Sequence, residues 1–356
     1  MGDRGDRAAD AIDRYEPTRL IVFRADTIEP QAVQWLWPGR IALRKVSLIA
    51  SDPGLGKSLV TIDLVARVTR GLPWPLDAGV APLGRALILS AEDDPADTMV
   101  PRLMAADADR SRVRLLDCVR DRTMTGDPFD RGFSLERDIP LLERELAILP
   151  DCRLVVVDPI SAYLGHTDTH RNADVRALLM PLTKLAQRHD VAILAVSHLN
   201  KGTGLQANYR VTGSIAFTAT ARAVYLIAKD PNEPKRRLMI PIKNNLAQDD
   251  VGLAYRIEVT AAGIARIRWD AQPVTLTPEQ ALNPDPDAGA KAEAMDFLLD
   301  YLSGGPLPAS DVLKAARDAG ISKRTLHRAK KVLGVVSAKH EFEAEWQWSL
   351  QPKRSE

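Results

Sequence analysis

Residues 51–58 read Ser-Asp-Pro-Gly-Leu-Gly-Lys-Ser, and this octet limits the chain more than any other stretch. The apolar run 46–50 before it has the length and composition of a buried strand. The run 59–68 after it is apolar at helical spacing. A glycine-rich turn between strand and helix, closed by Lys-Ser, is built to hold phosphate. Gly54 and Gly56 lack a Cβ, so backbone N–H groups can close in on phosphate oxygens, and the helix N-terminus adds partial positive charge. In this reading Ser51, Asp52, Pro53, Gly54, Leu55, Gly56, Lys57, Ser58 and Leu59 form the cradle. Lys57 reaches the β- and γ-phosphates, and the Ser58 hydroxyl ligates Mg2+. The pattern G-x-x-x-x-G-K-[ST] asks for glycine at position 51. Serine stands there and is small enough for the loop to form.

At 356 residues the chain has room for about two domains. Its 45% apolar and 27% charged residues are ordinary for a globular protein, so composition singles out no fibrous or disordered class. No apolar run reaches the roughly 18 residues that a membrane span needs. Residues 1–16 are charged and lack an apolar signal-peptide core, so a disordered leader is expected. Cys118 and Cys152 fit no disulfide framework or metal motif and read as thiols of a reducing cytoplasm. The net charge is only +1, yet it is unevenly spread. Within 314–339 stand Lys314, Arg317, Lys323, Arg324, Arg328, Lys330, Lys331 and Lys339 against Asp318 alone. A basic patch on a neutral chain points to a polyanion partner.

Short apolar runs alternate with helical patterns from 17 to about 270. Strands are expected at 46–50, 86–90, 113–116, 154–157, 192–196, 223–227, 237–242 and 264–269. Helices are expected at 59–69, 95–105, 139–147 and 175–188. The alternation predicts an α/β core with parallel βαβ units and a mostly parallel sheet. The last strands lack long helices between them and predict an antiparallel extension. Residues 271–289, with four prolines, read as a linker. Helices at 290–302, 310–319 and 323–333 follow, the last with Ser322 as N-cap and Gly334 as its stop. Residues 335–350 alternate like a hairpin, with Phe342, Trp346, Trp348 and Leu350 on one side. The remaining 351–356 form a tail.

A phosphate loop needs an acid for its metal. The strand Leu154-Val155-Val156-Val157 ends in Asp158, whose carboxylate is placed to hold Mg2+ next to ATP. Pro159 follows, so the water-activating acid must come from elsewhere. Glu92, just past the strand 85–91, lies nearest a strand end. Asp93 and Asp94 are its rivals, and one of the three can cap the helix that starts at Pro95. His198 ends another apolar strand. It can touch the γ-phosphate or simply hydrogen-bond a loop. His166, Asp168 and His170 read as a solvated loop rather than a metal site. Arg210, Lys243 and Arg222 are cations that could act across a subunit interface, or be paired within the chain.

Together, residues 51–58, Ala91-Glu92-Asp93-Asp94-Pro95, 154–158, His198-Leu199-Asn200-Lys201-Gly202 and 210–214 resemble the plasmid RepA-type hexameric helicases and their phage and integrative-element relatives. These belong to the RecA/DnaB-like superfamily, and the resemblance covers about residues 30–270. It implies a RecA-like P-loop core that assembles as a ring of six, with ATP between subunits and single-stranded DNA through the centre. It makes Lys57 and Ser58 the phosphate and metal contacts, Asp158 the metal acid, Glu92 the base and His198 a sensor. The base would sit at the tip of the strand next to the phosphate-loop strand. Arg210 and Lys243 become interface cations, and Lys201 a pore contact with DNA. The C-terminal piece resembles a winged helix-turn-helix, in which Lys323, Arg324, Thr325, Arg328 and Lys331 would share the face of a helix that reads duplex DNA. Packing on the ring or on a protein partner is the alternative for that piece.

These readings lead to an ATP-dependent helicase or translocase for replication of a mobile element. No primase or nuclease motif is present, so a primase or replication initiator would be its partner. Two alternatives stay open: a DNA-bound ATPase switch that does not unwind, acting as regulator or loader, and a RecA-like strand-pairing protein.

Overall fold

The computed structural model describes residues 20, 22–165, 172–199, 215–248, 251–282, 288–338 and 345–350. The chain divides into two units, Met1–Val33 and Gln34–Glu356. In the first, the described residues carry one helical turn, Ala25–Thr27, beside the exposed side chains of Leu20, Val22 and Phe23.

The second unit opens with a small ladder, β1 (Trp35–Trp37) and β2 (Ile41–Ala42). Then come β3 (Val46–Ser51), α1 (Lys57–Arg70), β4 (Arg85–Ser90), α2 (Val100–Ala105) and β5 (Val113–Leu116). A hairpin of β6 (Val119–Arg122) and β7 (Pro128–Arg131) leads to α3 (Ile139–Ala147), β8 (Cys152–Asp158), α4 (Asn172–Arg188), β9 (Ala192–His198) and α5 (Ile215–Thr220). Four strands close the core: β10 (Ala223–Lys229), β11 (Arg236–Asn244), β12 (Leu253–Val259) and β13 (Ala265–Trp269). Nine strands form one sheet in the order β13-β12-β11-β10-β3-β9-β8-β4-β5. It is parallel from β10 to β5 and antiparallel from β10 to β13.

The apolar runs are continuous because the sheet is covered on both faces. On β8, Leu154 and Val156 pack with α1, while Val155 and Val157 pack with α4. The strand and helix positions expected for this core recur within a few residues. Four features differ. The 95–105 segment is a π-type turn at Pro95–Met99 that runs into α2. Strands β1, β2, β6, β7 and β12 have no counterpart among the expected strands, nor has α5 among the expected helices. Strand β4, which leads to Glu92, is not next to β3, because β9 and β8 lie between them. The crossover through α1 carries the chain past two places that later strands fill. The expected linker is also partly packed. Val274 and the helix α6 (Pro278–Leu282) join the core, and Thr277 and Gln280 cap each other's backbone N–H reciprocally.

Beyond it come α7 (Ala288–Tyr301), β14 (Leu307–Pro308), α8 (Ala309–Asp318), α9 (Lys323–Leu333), β15 (Val336–Ala338) and β16 (Gln347–Ser349). The three strands pair in the order β14-β16-β15. Leu298, Val312, Leu326 and Trp348 centre a separate apolar cluster. Trp348 is buried there, but Trp346 is 54% exposed, so the two do not share a buried side. Phe342 lies outside the described residues. Among the described residues no helix is long and apolar enough to cross a membrane.

Candidate nucleotide site

Strands β3, β9, β8 and β4 end side by side. Ser51 pairs with His198, and Ser90 with Asp158, so the loops after these strands converge at one edge of the sheet. That edge, outside the carboxyl ends of parallel strands, is where α/β sheets bind ligands. The phosphate loop crosses it with Gly54 and Gly56 at φ of 74° and 88°, values that side chains disfavour. Gly56 also meets Ile257 of β12: a Cβ there would lie 3.1 Å from the Ile257 Cδ1.

Lys57 starts α1 and is 7% exposed. Its Nζ donates to the carbonyls of Ser51 (3.4 Å) and Asp52 (3.2 Å) and to Ser51 Oγ (3.0 Å), and lies 3.3 Å from His198 Nδ1. Burial lowers its pKa against the pull of Asp158, Glu92 and Asp52. Asp158 ends β8, and burial pushes its carboxyl up to about 6, although the Ser58 hydroxyl bonds it and Lys57 attracts it. A hydroxyl and a carboxylate bonded to each other at the mouth of a phosphate cradle are the oxygen donors Mg2+ takes, the rest of its shell being phosphate and water. Among the described residues no group of three His, Cys, Asp or Glu side chains could hold a metal on its own. His166, Asp168 and His170 lie outside the described residues.

The three neighbouring acids divide cleanly. Asp94 caps the turn at 95–99, accepting from Ala96 N at 2.7 Å and Asp97 N at 3.0 Å. Asp93 binds Arg102 at 2.7 Å. Glu92 faces the site, its Oε1 4.0 Å from His198 Nε2. Thus Glu92 reaches the cluster although β9 and β8 separate its strand from β3. The His198 pKa is lowered first by burial and then by Lys57, with Glu92 opposing.

Lys243 lies elsewhere. Its strand runs antiparallel to β10, and it pairs with Val224, which pairs with Leu48 near the start of β3. There its ammonium binds the carbonyls of Thr218 (2.6 Å), Ala219 (3.3 Å) and Ala221 (2.9 Å) at the end of α5. Arg222 is next to it and lowers its pKa further after burial. Arg210 and Lys201 lie outside the described residues. Two site residues are not among those the sequence pointed to, both on β12. Tyr255, fully buried, donates to the Leu55 carbonyl at 2.9 Å, and Ile257 packs on Gly56. The alternation Leu253, Tyr255, Ile257, Val259 was the available signal.

On α9, Lys323, Arg324, His327 and Lys331 are exposed and Arg328 half-buried. Thr325 does not share that face. It is 7% exposed and shares a 2.8 Å hydrogen bond with the N-cap Ser322, because its position on the helix turns toward Leu326 and Ala329. Lys330 also turns inward, over the Trp348 ring at 4.0 Å.

A family model described as an AAA domain matches residues 12–204. No curated protein matches the chain.

Proposed function

This chain belongs to the AAA domain family, and on that premise we propose that it is an ATP-dependent, ring-forming DNA helicase or translocase of the RepA type. The observation that carries the reading is the run of polar contacts from Ser51 through Lys57 and His198 to Glu92, set over the Asp158–Ser58 pair. Lys57 offers its ammonium to the terminal phosphates. Glu92 accepts a proton from the attacking water. His198 lies between them, positioned to respond when the terminal phosphate leaves. Ser58 and Asp158 would hold Mg2+, which supplies charge to the phosphoryl oxygens when bound. A cation such as Arg210 would come from a neighbouring subunit to complete the site. The exposed basic side chains of α9, on what we read as a winged helix, would hold duplex DNA. Single-stranded DNA would pass the ring near Lys201, with a primase or initiator as partner.

The test measures ATP hydrolysis by the full chain with and without single-stranded DNA, alongside displacement of an annealed strand. Hydrolysis stimulated by DNA and coupled to displacement is the expected result. Hydrolysis without displacement would replace the helicase reading by that of a DNA-bound switch. Absence of hydrolysis under both conditions would overturn the enzyme assignment.

A further inference from the structure

Ser51 occupies the place where the loop pattern has glycine, and it is fully buried. Its hydroxyl donates to the Asp52 carbonyl at 2.6 Å, which turns its lone pairs toward Lys57 Nζ at 3.0 Å. The carbonyls of Ser51 and Asp52 and Nδ1 of His198 surround the same ammonium. An ammonium has only three protons to donate. The four acceptors of this chain around it already outnumber those protons. The Ser51 carbonyl also accepts from Leu199 N at 3.0 Å and is fixed by the sheet. Phosphate oxygens must then compete with the remaining acceptors, the Asp52 carbonyl, His198 and the Ser51 hydroxyl, the shortest of these contacts. Glycine at this position would leave the carbonyls and remove one competitor. Lys57 is nearly sealed from water, so each exchanged bond counts for more than it would at the surface.

We infer that Ser51 is a positioning residue whose hydroxyl competes with phosphate oxygens for the Lys57 ammonium and so weakens the binding of nucleoside di- and triphosphates. The inference rests on the phosphate-loop reading and adds a built-in competitor to it. Replacing Ser51 by alanine removes the hydroxyl, and replacing it by glycine removes the whole side chain.

The experiment titrates the full chain with fluorescent ADP, and with ATP in the presence of Mg2+, for wild type, Ser51→Ala and Ser51→Gly. Both variants should bind about tenfold tighter than wild type, the worth of one hydrogen bond to a charged group. A merely structural role is separated by the background: measured at millimolar nucleotide, Ser51→Ala should change nothing in Lys57→Ala protein. Binding by Ser51→Ala that is unchanged or weaker, with an unaltered melting curve, overturns the inference. Equal tightening in the Lys57→Ala background does so too. If Ser51→Ala fails to fold, Ser51→Gly gives the same reading. Wild type that binds nucleotide no more weakly than the Ser51 variants sinks this inference alone. Wild type that binds none sinks the phosphate-loop reading and this inference with it.

Discussion

Tyr255 of β12 and Leu55 of the phosphate loop lie 200 residues apart, and the Tyr255 hydroxyl donates to the Leu55 carbonyl at 2.9 Å. The ring behind that hydroxyl packs edge-on against Trp269 at 5.3 Å, and Trp269 Nε1 donates to Asp63 of α1 at 2.8 Å. The antiparallel extension therefore grips both the loop and the helix it leads into. Replacing Tyr255 by phenylalanine keeps the ring packing and leaves the Leu55 carbonyl without this donor. It should cost about 1–2 kcal/mol in denaturant unfolding and raise KM for ATP with little change in kcat. Wild-type stability and KM in Tyr255→Phe would show that the hydrogen bond does not support the loop.

Glu92, Asp93 and Asp94 should separate by function. Glu92→Gln keeps the shape, loses the proposed base, and should bind ATP while turnover falls by at least about a hundredfold. Asp94→Asn retains a good N-cap and should be nearly silent. Asp93→Asn loses the Arg102 ion pair and should cost no more than about 1 kcal/mol of stability, with turnover largely kept. Steady-state hydrolysis by the three variants checks the assignment, and a collapse in Asp93→Asn alone would move the base to that residue.

Lys243 binds three carbonyls at the end of α5 within its own chain, so its loss should act first on stability. Lys243→Ala should lower the unfolding free energy by about 1–3 kcal/mol, at any protein concentration. Arg210 carries the opposite expectation. On the proposed assembly, Lys57→Ala and Arg210→Ala proteins should each be inactive alone and regain turnover when mixed, because mixed rings would contain intact interfaces. Lys243→Ala protein that melts like wild type but is rescued by the same mixing would return the trans role to Lys243.

The core was legible because its signals are local. Residues 46–58 combine a buried run, two turn glycines and a helix start, and the structure keeps each at nearly the expected residues. Asp158 was legible as the end of an uninterrupted apolar strand. Strand order was not, since it is decided by where later strands insert. Strand β12 was hidden because its pattern changes midway: Leu253, Ala254 and Tyr255 are continuously apolar, and only then do Arg256 and Glu258 interrupt the run. They do so because that strand begins fully buried and runs outward to the exposed Val259. The side of α9 that Thr325 takes was hidden by the charges of a basic helix, whereas its apolar positions, Leu326 and Ala329, fix which side turns inward.

The exposed basic side of α9 gives the last prediction. Lys323, Arg324 and Lys331 are exposed, while Lys330 lies over Trp348 and the buried Thr325 hydroxyl shares a hydrogen bond with the N-cap Ser322. In the full chain, replacing Lys323, Arg324 and Lys331 by alanine should weaken duplex DNA binding. It should also flatten the slope of log affinity against log salt by about three, one for each cation that no longer neutralises a phosphate. Basal ATP hydrolysis should not change, since these side chains belong to an element with its own apolar cluster. Thr325→Ala should do the reverse, costing about 1 kcal/mol of stability through the lost hydrogen bond to Ser322 while leaving the salt slope in place. Filter binding or fluorescence anisotropy across a salt series measures both. A triple variant with an unchanged slope would show that α9 does not bind the DNA phosphates, and the helix would then be read as a surface for a protein partner.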